Sequence, residues 1–73
     1  MGDFVDRLQG LKKIKGKLQK DVSIGVDIPL RTYQRYERGE RVPDMLVLIK
    51  LANYFDVSID YLVGRTDKPD INR

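Results

Sequence analysis

Apolar residues recur at helical spacing in successive stretches of this 73-residue chain, and no stretch shows the strict alternation of a half-buried strand. Phe4, Leu8 and Leu11 stand at i, i+4 and i+7, with Val5 widening the stripe. Asp3 is placed to cap this first helix, and Gly16 to end it after Lys15. Gly10 inside it costs about 1 kcal/mol against alanine, which reads as room for a closely approaching backbone. A second helix is expected from about Leu18 to Val26, with Val22 and Val26 one turn apart and facing inward. Lys17 and Leu18 stand where Ser, Thr or Asp would normally cap, and Gly25 weakens the last turn, so this helix must draw its stability from packing. Ser23 either lets a neighbouring helix cross closely or faces solvent.

Asp27 tolerates positive φ and Pro29 suits the first turn of a helix, so the chain turns there and a third helix runs to about Arg38, stopped by Gly39. Pro43 and Asp44 read as turn and new N-cap. From there Leu46, Leu48, Ile49, Leu51, Ala52 and Phe55 make the most hydrophobic helix of the chain, ending near Tyr54 or Phe55 and expected at the centre of the core. Ser58 caps a short fifth helix that Gly64 ends. The expected fold is all-α, a compact five-helix bundle in one domain over residues 1–67, with residues 68–73 as a frayed tail.

The third helix carries the candidate chemistry. Tyr33 is its bulky inward residue, while Leu30, Arg31, Gln34 and Arg35 fall together on the other side. Such a face can enter a DNA major groove and hydrogen-bond base edges: arginine suits guanine O6 and N7, glutamine suits adenine N6 and N7, and an apolar contact suits the thymine methyl. The charge distribution supports this picture. The net charge is +3, yet residues 7–41 carry ten bases against four acids, while the remainder is slightly acidic. That is the footprint of a protein docking on a polyanion, or else a solvated surface. With no cysteine and no histidine, disulfides, thiolate or imidazole metal sites and Cys or His catalysis are excluded. The serines lack any histidine partner, and no glycine-rich phosphate loop follows a strand, so an enzyme is the poorest reading and no cofactor is implied. Apolar runs are far shorter than the roughly 20 residues a spanning helix needs, and acids stand where a signal peptide needs bases. The expectation is a soluble cytoplasmic protein.

YERGERVPD at Tyr36 to Asp44 and LIKLANYFDVSIDYLVGRTD at Leu48 to Asp67, in register with Gln19 and the third-helix pattern, resemble the phage-repressor and Cro-like (XRE-type) helix-turn-helix family across about Phe4 to Asp67. The resemblance implies a lambda-repressor-like bundle whose third helix lies in the major groove. It implies base contacts at Leu30, Arg31, Gln34 and Arg35, and phosphate contacts at Gln19, Thr32, Arg38 and Arg41, with Gln19 also bracing the third helix. Glu37 matches an acid that pairs with a base on the first helix, here Lys12, as a structural ion pair. Tyr36 is either core or a bridge to the DNA backbone. Three departures fall on the motif: Ser23 for alanine, Asp27 for glycine and Pro29 for a serine or threonine that caps or meets phosphate. The last implies lower non-specific affinity.

The function expected from the resemblance is sequence-specific binding of double-stranded DNA as a transcriptional regulator, a repressor by default, on a palindromic operator and associated with the nucleoid when bound. A single module of this size covers only about 600 to 1,000 Å² of protein surface on DNA, so a homodimer is expected, with Tyr61, Leu62 and Arg65 around the fifth helix as candidate contacts; Tyr61 and Leu62 serve equally as core. The chain is either a complete Cro-like protein or part of a longer repressor. The alternative is a protein-interaction module on the same fold, such as an antitoxin or anti-repressor partner, favoured by Leu18, Ile24 and Leu30 if exposed.

Overall fold

The structure, a computed structural model, describes residues 2–69. Among these residues the elements are α1 (Gly2–Ile14), α2 (Gln19–Gly25), α3 (Leu30–Glu37), α4 (Met45–Phe55) and α5 (Ile59–Leu62), with no strand. Most helix ends follow the expected local chemistry, but Asp3 lies within the first turn of α1 rather than at its N-cap, so its expected capping role is corrected to that of an acid near the positive end of the helix dipole. Gly16 takes φ +66, and the backbone N–H groups of Gly16 and Lys17 return to the carbonyls of Lys13 and Lys12, which would otherwise be left unpaired at the end of α1. Asp44 accepts the N–H of Val47 at 3.0 Å and Ser58 that of Tyr61 at 3.0 Å, so α4 and α5 are both side-chain capped. The start of α2 has no such cap. Leu18 occupies the N-cap, and its own N–H donates to the Asp21 carboxylate at 2.9 Å, leaving only one half of a reciprocal capping arrangement.

The largest fully enclosed side chains are Leu8, Val22, Tyr33, Leu51, Phe55 and Leu62, contributed by all five helices. Around them α2 packs on α3, α1 on α3 and α5, and α4 on α5. The core therefore has no single central helix. The expectation that α4 forms its centre is corrected: Leu51, Ala52 and Phe55 are buried, but Met45, Leu46 and Ile49 point outward and are exposed. A helix apolar on most of its circumference needs neighbours on most of its circumference, and this small bundle covers only one side of α4.

Two glycines also read differently in three dimensions. No heavy atom lies within 4 Å of where a Cβ on Gly10 would stand, so the close backbone approach expected there does not exist. Gly25, read as a mere weakness, is the one that a neighbour requires, because a methyl group there would run into the Tyr54 ring. Ser23 is buried and donates to the Lys20 carbonyl at 2.9 Å, which resolves its two readings in favour of the packed one. Of the expected frayed tail, residues 70–73 lie outside the described residues. The Pro69 carbonyl is tied back, accepting the Ser58 N–H at 3.0 Å.

Candidate nucleic-acid interface

The turn between α2 and α3 is built by the backbone. Val26 caps α2, Asp27 takes φ +56, and the N–H of Ile28 returns to the Ser23 carbonyl at 3.0 Å. Asp is among the residues that occupy this left-handed region most readily after glycine, which is how the motif tolerates it. Pro29, at φ −59, then starts α3 with its carbonyl accepting the Tyr33 N–H. Below the turn, Val22 and Val26 of α2 meet Tyr33 and Tyr36 of α3 within the core. Tyr36 is thus core.

With its two tyrosines locked inward, α3 turns Leu30, Arg31 and Arg35 outward, with Gln34 half-buried beside them. Gln34 is held from behind. Its Nε2 donates to Gln19 Oε1 at 3.2 Å, Gln19 Nε2 donates to Glu37 Oε1 at 3.0 Å, and Lys12 Nζ reaches the same Glu37 oxygen at 3.0 Å. This chain of contacts joins α1, α2 and α3 and passes through the reading face. Gln9, which the sequence did not single out, closes it by donating to the Glu37 carbonyl at 2.7 Å. Its signal was positional: Gln9 and Lys12 stand three apart on one face of α1.

Glu37 is buried, and burial alone would push its carboxyl up. The nearby Tyr33 hydroxyl, the hydrogen bonds from Gln19 and Lys12, and the Lys12 charge outweigh that and hold it below the usual carboxylate range. Tyr33 answers in the opposite sense, its hydroxyl pushed well up by burial and then by the neighbouring carboxylate. Tyr33 Oη and Glu37 Oε2 are both buried with no hydrogen-bond partner among the described residues. The Lys12–Glu37 ion pair is one edge of a larger network.

Thr32 is half-buried, and Arg38 and Arg41 are exposed beyond the reading face. On the other side of α3, Lys13, Lys17 and Lys20 line one depression with Lys12, Leu18, Gln19 and Leu30. The sequence singles out none of these three lysines as a contact residue; the fold gathers them beside Gln19. The expected dimer residues differ in exposure. Leu62 is 0% exposed and has no surface to offer a second chain, so it is withdrawn from that role. Tyr61 is half-buried, with the Arg7 guanidinium 4.1 Å from its ring centre, and Arg7 also pairs with Asp67 at 3.0 Å. Arg65 is exposed. A more apolar surface lies elsewhere: Val42, Met45 and Leu46 are 66%, 62% and 61% exposed, and Ile49 continues their stripe along α4.

Two helices crossing at a tight turn, the second with an anchored inner face and a polar outer one, define the class, and the helix-turn-helix family model matches residues 11–62, so the chain belongs to that family. Its relatives include transcriptional regulators. It is 38% identical over 60 residues to the cryptic phage CTXphi transcriptional repressor RstR of Vibrio cholerae, across 82% of this chain and 54% of that protein. It is 36% identical over 61 residues to the HTH-type transcriptional regulator ImmR of Bacillus subtilis, across 84% of this chain and 48% of that one. A solved structure of a transcriptional regulator from Listeria innocua matches with a TM-score of 0.78 at 41% identity, over 84% of this chain and 57% of the other. The chain spans about half the length of the relatives it matches.

Proposed function

We propose that this protein binds double-stranded DNA sequence-specifically and regulates transcription, as a repressor that blocks a promoter. The observation that carries the reading is the outward face of α3, in which Arg31 and Arg35 are exposed while Gln34 is braced through Gln19 to a buried carboxylate. A base-reading side chain must be aimed before it meets the groove, and bracing of this kind supplies the aim. Leu30, Arg31, Gln34 and Arg35 take the base edges. Gln19, Thr32, Arg38 and Arg41 take phosphates, joined on the α2 side by Lys13, Lys17 and Lys20. The first set confers choice of sequence, the second an affinity that falls with salt. The protein acts by binding rather than by catalysis, in the cytoplasm and on the nucleoid.

One small module needs a partner to bind tightly and selectively, and we place a homodimer on a palindromic operator. The stripe Val42, Met45, Leu46 and Ile49 is the stronger candidate surface for the second copy, with Tyr61 and Arg65 the weaker one. It follows directly on the loop that leaves α3, and the exposed Arg41 and Asp44 beside it bring opposite charges to a two-fold contact. Selection from a randomised duplex library at about 150 mM salt tests the whole reading. An enriched palindrome with half-sites about 10 base pairs apart supports it. A flat library overturns sequence-specific reading. Binding to a protein partner that is insensitive to salt would instead favour an interaction module built on the exposed Leu18 and Ile24.

A further inference from the structure

The end of α3 returns an acid to the reading face. Gly39, at φ +73, turns the chain back, its N–H meets the Tyr36 carbonyl, and the N–H of Glu40 bonds to the Arg35 carbonyl at 2.9 Å. This is the paired-bond ending in which the residue after the glycine is folded over the last turn, where an apolar contact usually completes it. Here the contact is ionic. Glu40 Oε2 lies 2.9 Å from Arg38 Nε, its Oε1 accepts from the same guanidinium at 3.4 Å, and Arg35 Nε stands 4.0 Å from Oε1. One carboxylate thus grips Arg38 along an edge and leans on Arg35.

The placement is unfavourable on local grounds. A carboxylate at the C-terminal end of a helix meets the negative end of the dipole, and only the two arginines offset it. Glu37 and Glu40 are the two acids between residues 28 and 43, and Glu37 is buried on Lys12, so within that stretch, which also carries Arg31, Arg35, Arg38 and Arg41, Glu40 is the exposed acid. At a surface meant to meet phosphates, it repels every duplex alike. It also restrains the guanidinium that is placed to read a base.

We propose that Glu40 is a specificity-determining residue, which positions Arg35 and Arg38 and lowers affinity for DNA in general so that the preferred sequence stands out. The inference rests on the DNA-reading function proposed above. It needs no new ligand: the carboxylate removes about one unit of effective positive charge from every encounter with phosphates, while a guanine edge that satisfies Arg35 makes up the loss on the right site.

The test is Glu40→Gln, which keeps shape and removes charge, measured on the full chain against the duplex selected by the parent protein and against a scrambled duplex. Glu40 is exposed, so the thermal midpoint is expected to stay within about 2 °C and serves as the folding control. On the scrambled duplex, binding at about 150 mM salt is expected to tighten roughly fivefold, with the slope of log K against log salt steeper by about 0.9. On the selected duplex the gain is roughly twofold or less, so discrimination narrows. Glu40→Asp, which keeps the charge, returns the slope to that of the parent. Equal tightening on both duplexes, or no change on either, overturns the proposal while leaving the parent's DNA reading intact. A parent protein that selects no duplex removes the reading, and this inference with it.

Discussion

Glu37 and Glu40 stand three residues apart at the end of the same helix, each paired with a base, yet they do different work. The Glu37 side chain is 5% exposed and its partner Lys12 18%, whereas Glu40 is 50% and Arg38 57%. Inside, the ion pair is one element of a network that fixes three helices, and its loss leaves charge stranded away from water. Outside, water and salt screen the same chemistry until it contributes almost nothing to the fold. What remains to an exposed pair is control over where its charges point when a ligand arrives. Burial, not the identity of the two residues, sorts the structural pair from the functional one.

The largest effect is expected at Glu37. Glu37→Ala leaves Lys12 unpaired and releases Gln19, and is expected to lower unfolding free energy by about 3 kcal/mol, measured by urea denaturation at neutral pH. Glu40→Ala under the same conditions is expected within about 0.5 kcal/mol of the parent. Similar losses for both would show that burial is not what separates them.

Acid sharpens the same contrast. The folded-state pKa of Glu37 lies below its ordinary 4.5, so its contribution is fully present above that value and is lost as pH falls through the folded pKa. The parent should therefore lose more stability than Glu37→Gln does as pH falls from neutral to below 4.5, measured by urea denaturation at each pH. Parallel pH profiles would remove Glu37 from the acid response. Gly10→Ala, on the same helix as Lys12 but with open space around its Cβ, is expected to stabilise by about 0.5–1 kcal/mol. It thereby provides a background in which the Glu37 variants stay folded; a loss of stability would mean that an unseen contact constrains that turn. The smallest effect is the coupling of Arg38 to Glu40 in a double-mutant cycle, expected below about 0.5 kcal/mol, against roughly 1–3 kcal/mol for Lys12 with Glu37.

Much of this was legible in the chain itself. Asp44 and Ser58 cap where their position before apolar runs said they would, and Gly16 and Gly39 end helices with positive φ. Phe4, Leu8, Leu11, Val22, Val26 and Tyr33 bury as their spacing indicates. Gln9 and Arg7 escaped notice because their partners, the Glu37 carbonyl and the Tyr61 ring with Asp67, are distant in sequence. Periodicity ranks positions around one helix and says nothing of what stands opposite. The same blindness placed α4 at the core's centre and left Leu62 among the surface candidates.

By itself, then, the sequence determined what local physics determines: five helices with their stops and the caps of α4 and α5, the outward set Leu30, Arg31, Gln34 and Arg35, and a basic segment set against a near-neutral remainder. Only the tertiary structure decided which side of α4 stays uncovered, that Gly25 must clear Tyr54, that three lysines gather beside Gln19, and which of two glutamates is buried. Helix propensity, capping and turn chemistry act within a few residues and can be read from them. Burial and long-range pairing depend on how five helices share one small core, and no single segment carries that information.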